Sequence, residues 1–178
     1  VRKLVVTEFI SLDGVIEEPA WTAPYWDDDI AKFKGEEQDT SDALLLGRVT
    51  YQGFAAAWPE SLDEGADYMN SVCKYVVSTT LNTLEWNNSM LFKDNIVEEI
   101  TKLKHQDGQE ILVYGSATLV QTLIKYDLVD IYRLLVYPVV VGKGKRLFQD
   151  DTTMTLKLLE AQSFSSDVVA LIYEPERK

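Results

Sequence analysis

The chain has 178 residues, 46% of them hydrophobic and 26% charged, which is the length of one domain (1–178) able to bury a full core. Its formal net charge of -12 repels a phosphate backbone and argues against nucleic acid as a partner; an anionic small ligand would need a helix N-terminus or a well-placed Arg. No apolar run approaches the ~20 residues of a membrane span, the opening strand turns polar too early for a signal peptide, and the one cysteine builds neither a disulfide nor a zinc site, so the expectation is a cytoplasmic domain with no metal and no membrane contact.

Residues 4–10 read as a buried strand, ended by the turn residues Ser11, Asp13 and Gly14. Residues 21–26 are aromatic and punctuated by Pro19 and Pro24, a loop whose rings Trp21, Tyr25 and Trp26 either face a ligand or pack over the core. Asp27, Asp28 and Asp29 open a helix through Phe33, carboxylates first, where the macrodipole favours them. Residues 43–46 form a short apolar strand stopped by Gly47, and residues 72–77 a further buried strand that includes Cys73 as a core thiol.

Asp94 is the expected cap of a helix with Ile96, Val97, Ile100 and Leu103 on one face. A strand over 111–114 leads through Gly115 and Ser116 into a helix whose Leu119, Val120, Leu123 and Ile124 share a face. Residues 129–136 are a strand broken near Pro138 and followed by 139–141; residues 155–161 and 168–173 alternate as a hairpin. Strands alternating with helices and then a hairpin predict an α/β three-layer fold. Its central sheet is mixed and mostly parallel, with helices on both faces and an antiparallel end. Such sheets bind ligands beyond the carboxyl ends of their strands, at Gly47, Ser78 and Gly115.

At the first of these ends, Gly47-Arg48-Val49-Thr50 offers a turn without a Cβ, free helix N–H groups and a planar guanidinium. It is either a phosphate-holding turn or a plain strand-to-helix turn. Ser78 and Thr79 either bond a ribose phosphate or cap their strand. Gly115-Ser116-Ala117-Thr118 either holds a pyrophosphate on helix donors or is only an N-cap. Gly142-Lys143-Gly144-Lys145-Arg146, the one basic cluster, either binds a substrate phosphate or terminates a strand. His105, the lone histidine, reads as a solvated or capping residue.

Taken together, these segments resemble the dihydrofolate-reductase-like family. The similarity runs through T-E-F-I-S-L-D-G (7–14), L-L-G-R-V-T-Y-Q-G-F (45–54), residues 76–81 and the block 113–148. The stretch L-V-D-I-Y-R-L-L-V-Y-P-V-V-V-G-K-G-K-R-L-F within that block is most similar to stand-alone relatives of the reductase domain of the riboflavin-pathway deaminase-reductase. The zinc pattern of the deaminase half is absent.

The resemblance implies NADPH as cofactor. Arg48 would meet the 2′-phosphate with Ser78 and Thr79; Gly115, Ser116, Ala117 and Thr118 would hold the pyrophosphate; Gly47 and Thr50 would shape the cleft. It also implies a catalytic loop at Asp13, an acid at Asp29, and a homodimer. Trp26, Gly142 and Lys143 complete the expected substrate contacts. The implied activity is hydride transfer to a heterocyclic or ribosylated pyrimidine, as in 5-amino-6-(5-phosphoribosylamino)uracil reduction. A dihydrofolate or pterin reductase and a non-catalytic nucleotide-binding dimer are the alternatives.

Overall fold

The computed structural model describes residues 1–177. Strand β1, Leu4–Ile10, is almost wholly buried because it lies mid-sheet, parallel to both its neighbours β5 (Glu110–Gly115) and β6 (Ile131–Val136). Beyond β5 stand β2 (Ser41–Gly47), β3 (Cys73–Val77) and the short β4 (Ser89–Phe92), all parallel. On the other side β8 (Val169–Pro175) and then β7 (Leu156–Ser163) add antiparallel, which gives the order β4-β3-β2-β5-β1-β6-β8-β7. The mixed, mostly parallel sheet with an antiparallel end is the one expected.

Helices cover both faces. α4 (Ile96–His105) and α5 (Ala117–Lys125) bury Ile100, Leu103, Leu119, Val120 and Leu123 against Leu4, Val6 and Ile111. On the opposite face α2 (Arg48–Ala57) and α3 (Ala66–Ser71) contribute Tyr51 and Met69 to a cluster with Val5, Leu44 and Trp86. α1 (Asp28–Asp39) seats Ile30 beside Leu135 and Tyr137. Because β5 is inserted between β1 and β2, the chain direction across the sheet reverses there and a crevice opens at the strand ends.

Several local expectations are corrected. Residues 19–25 are a 3₁₀ helix rather than a loop, with Pro19 at its first turn, where a missing N–H costs nothing. Trp21 and Tyr25 pack edge-on against Tyr137. α4 is entered from Asn95, at φ +52° and with no side-chain cap, and not from Asp94. Residues 139–141 form no strand; Pro138 has no N–H to give, and the segment is instead tied to the 11–13 turn through Leu12 N–H to Val139 O (2.8 Å).

Cys73 is exposed, not a core thiol. The two-residue period of β3 turns Lys74 and Val76 inward. Lys74 is fully buried, its Nζ donating to Val72 O (3.0 Å) and Asn87 O (2.8 Å) over the Trp86 ring. Burial draws its ammonium down to about 8.

Candidate active site

Two strand-to-helix turns meet at the crevice. β2 ends on Gly47, the N-cap of α2, and β5 ends on Gly115, with Leu46 paired to Gly115 across the two strands. The turns approach so closely that neither tolerates a side chain. A Cβ on Gly47 would lie 2.2 Å from Ser116 Oγ and 2.8 Å from its backbone N; one on Gly115, at φ +139°, would lie 2.7 Å from Thr50 Oγ1. The Gly115–Ser116 peptide is cis. Ser116 caps α5, its Oγ accepting from Leu119 N–H (3.3 Å). Two helix N-termini, each with free N–H groups and a positive dipole end, therefore open side by side.

The space in front of them is one cleft of two compartments that share Val49, Ser116 and Thr118. The smaller, ≈300 Å³, is lined by Gly47, Arg48, Ser78, Thr79 and Thr80. The larger, ≈600 Å³, is lined by Thr50, Gly115 and Ala117, with Phe9, Phe54 and Tyr114 as apolar walls. All nine residues expected to bind a cofactor thus face one continuous cleft. Among the described residues Arg48 forms no ion pair, and its guanidinium donates only to Gln52 Oε1 (3.0 Å). The Ser78 Oγ accepts from the Thr80 and Leu81 N–H groups (3.2 and 3.1 Å), so it also holds its own turn. A larger groove of ≈1180 Å³ beside residues 144–155 lines acids Asp127, Asp150, Asp151 and Glu176 together with its bases, and offers an anion no single-sign surface.

The residues expected to meet substrate are placed otherwise. Asp13 accepts from Ser11 Oγ (2.5 Å), Gly142 N–H (2.8 Å) and Val141 N–H (3.1 Å). These bonds, Ser11's foremost, lower its carboxyl to about 2, so at neutral pH it is a carboxylate with no proton to donate. It is a clasp between the 11–14 turn and the 141–142 segment. Gly142 spends its N–H on that clasp, and neither Gly142 nor Lys143 lines the cleft; from the basic cluster Lys145 does. Asp29 accepts from the N–H and Oγ of Ser165 (3.3 and 3.1 Å) in the β7–β8 turn and is no cleft acid. Trp26 is 55% exposed and lies outside the cleft.

Other residues occupy the floor. Lys34 of α1 reaches Glu37 Oε1 (2.6 Å) and Thr7 Oγ1 (3.2 Å), and stands 4.8 Å from the Tyr114 ring centroid. Arg133 of β6 donates to Glu37 Oε2 (3.0 Å) and also meets Glu110. Burial opposes the Glu37 carboxylate, but Lys34 and Arg133 overcome it and hold the group below its ordinary value. Glu8, in the middle of β1, lines the cleft, is 8% exposed, and has an Oε1 with no hydrogen-bond partner among the described residues. Burial raises its carboxyl well above the ordinary value; Lys34 offsets part of this, and Glu37 adds to it. The signal was present in the sequence: Val5-Val6-Thr7-Glu8-Phe9-Ile10 sets one carboxyl inside a mostly apolar strand, where an unpaired charge is too costly to keep without a reason.

The chain matches the family model described as the RibD C-terminal domain over residues 2–170. The uncharacterized protein YyaP of Bacillus subtilis (strain 168) is 34% identical over 182 residues, covering 97% of this chain and 94% of YyaP. Among solved structures, a putative riboflavin biosynthesis protein from Shewanella sp. PV-4 superposes with TM-score 0.74 at 19% identity, covering 98% of this chain and 99% of that one. The Thermotoga maritima diaminohydroxyphosphoribosylaminopyrimidine deaminase/5-amino-6-(5-phosphoribosylamino)uracil reductase gives 0.71 at 15% identity, with 98% of this chain covering 56% of that one. Dihydrofolate reductase from Enterococcus faecalis, complexed with NADP(H) and RAB-propyl, gives 0.65 at 15% identity over 98% and 97% of the two chains. The fold is that of dihydrofolate reductase, and the chain belongs to the RibD C-terminal domain family.

Proposed function

We propose that the protein is an NADPH-dependent reductase acting on a heterocyclic, pyrimidine-type substrate. The observation that carries this reading is the pair of helix N-termini brought together by Gly47 and Gly115, with Arg48, in no ion pair among the described residues, beside them. A chain of net charge -12 can attract a pyrophosphate only through such local donors. A Cβ at either glycine would clash with the facing turn and drive the two apart. Arg48 with Ser78 and Thr79 at the end of β3 supplies a cation and hydroxyls for a 2′-phosphate. The residues present therefore fit NADPH, which when bound supplies the hydride.

The chain's own part is position and electrostatics. The α2 and α5 N–H groups would hold the phosphates of the cofactor. Phe9, Phe54 and Tyr114 wall the larger compartment and exclude water from a flat ring. The match to the RibD C-terminal model supports a pyrimidine substrate class.

The test is loss of NADPH absorbance on mixing the protein with NADPH and 5-amino-6-(5-phosphoribosylamino)uracil or, in parallel, dihydrofolate. Oxidation with the uracil compound and not with dihydrofolate is expected. Tight NADPH binding with oxidation by neither compound would contradict the reductase reading and leave a nucleotide-binding protein.

A further inference from the structure

We propose that Glu8, on strand β1, is the acid of this cleft: its carboxyl passes a proton to a ring or imine nitrogen of a neutral lactam-type heterocycle as the adjoining carbon is reduced. The inference rests on the reductase reading and adds to it the proton donor and the substrate edge that is recognised.

The first ground is availability. Of the other carboxyls around the site, Glu37 is committed to Lys34 and Arg133, Glu110 to Arg133, Asp13 to Ser11 and two N–H groups, and Asp29 to Ser165, while Glu17 and Glu18, which also line the cleft, are half-buried and exposed. Glu8 alone among them is more than nine-tenths buried, lines the cleft, and keeps an oxygen without a partner among the described residues. A buried polar atom left unpaired in a folded protein costs stability, and the residue that carries this one lines the cleft.

The second ground is place. Glu8 pairs with Leu134 in β6, and stands two residues beyond the Val6–Val113 pairing with β5, alongside the end of that strand at Gly115. The phosphate-holding donors lie in the region shared by the two compartments. Glu8 lies in the larger, apolar-walled one, where a flat ring would sit.

The third ground is chemical state. The ionisable groups that surround Glu8 or share its compartment are Lys34 and Glu37 from α1, Tyr114 from β5, and Glu17, Glu18 and Lys145 from the two loops. Lys34 is turned to Glu37 and Thr7 and makes no hydrogen bond to Glu8. Burial raises the Glu8 carboxyl well above the ordinary value and so favours the protonated form. A protonated carboxyl donates through its O–H and accepts through its carbonyl, which matches the N/N–H pair of the amidine-type edge of a lactam heterocycle; a carboxylate would only accept.

The step balances. The carbon of a C=N bond gains the hydride that NADPH supplies, the π pair moves to nitrogen, and an N–H bond forms there as the Glu8 O–H bond breaks. The C=N bond is reduced, the dihydronicotinamide is oxidised, and the Glu8 carboxylate regains its proton from water.

The experiment is difference infrared spectroscopy of protein labelled with carbon-13 glutamate, wild type against Glu8→Gln, at neutral pH, with pterin as probe and with and without NADPH. A protonated-carboxyl band is expected in the wild type, absent from Glu8→Gln, that shifts when pterin is added. Fluorescence titration should show pterin bound about as tightly by Glu8→Gln, whose amide also donates a hydrogen and accepts through its carbonyl, and about tenfold more weakly by Glu8→Leu, which loses the charge-neutral hydrogen-bonded contact, with NADPH affinity unchanged in both. A wild-type Glu8 that is ionised at neutral pH, or a band that pterin leaves in place, overturns the assignment. Failure of the wild type to bind NADPH would instead overturn the cofactor reading, while a pterin-sensitive band still assigns Glu8.

Discussion

Asp13 and Glu8 are two carboxyls whose surroundings drive them in opposite directions, and each leaves a signature in stability against pH. The folded Asp13 titrates near 2 against an ordinary 3.8, so its contribution is full above 3.8 and is lost as pH falls through about 2. Asp13→Asn should therefore unfold at lower urea than wild type at neutral pH, with the two curves converging near pH 2. Equal stability at neutral pH would show that the clasp to Val141 and Gly142 contributes nothing. Glu8 titrates above its ordinary 4.5, so the folded chain keeps a proton that the unfolded chain has released. Its stability then falls as pH rises from 4.5 through the folded value. Glu8→Gln removes that loss: the variant should be more stable than wild type at neutral pH, with the difference shrinking below about 4.5. Parallel pH profiles of the two proteins in urea unfolding would contradict this.

At the scale of elements, the two βα turns act as one unit because each glycine leaves room for the other turn. Gly47→Ala sets a Cβ against the backbone of Ser116, and Gly115→Val adds a strained φ to a clash with Thr50. Both should abolish measurable NADPH binding and lower the unfolding midpoint. Ser116→Ala removes one cap, about 1 kcal/mol of stability, and leaves the N–H donors, so it should bind NADPH nearly as wild type. Calorimetric titration of the three variants reads the order; a Ser116→Ala variant that loses binding while Gly115→Val keeps it would mean the site is not built on backbone donors.

These turns were legible in the sequence because a glycine between an apolar strand and an amphipathic helix is a local signal. The short β4, the 3₁₀ helix and the Asn95 entry to α4 were not, since four residues of strand and an uncapped helix start carry little local pattern. Asp29 misled for a related reason. An acid in the first turn of a helix looks alike whether it faces a ligand or a neighbouring turn, and only the fold brings Ser165 to it. Glu8 and Lys34 become a site only when β1 and α1 are packed face to face.

Across the whole molecule, β7 closes one edge of the sheet with most of its side chains exposed, among them Leu158 and Leu159. The homodimer expected from the sequence would find its apolar surface here. Sedimentation of wild type should then give a dimer that Leu158→Lys shifts toward monomer; a wild type that sediments only as monomer at micromolar concentration contradicts it. The acidic surface sets the other global property. With net charge -12, attraction for a nucleotide would be confined to the cleft, so under the proposed NADPH reading discrimination between nucleotides would fall to Arg48. The central claim is therefore tested most directly by fluorescence titration of wild type and Arg48→Ala with NADPH and with NADH. A charge-assisted phosphate contact contributes about 1.5–3 kcal/mol, or roughly 10- to 150-fold, so wild type should prefer NADPH by that factor and Arg48→Ala should bind the two alike. A wild type that binds neither nucleotide, or an Arg48→Ala variant that keeps the full preference, would contradict the account.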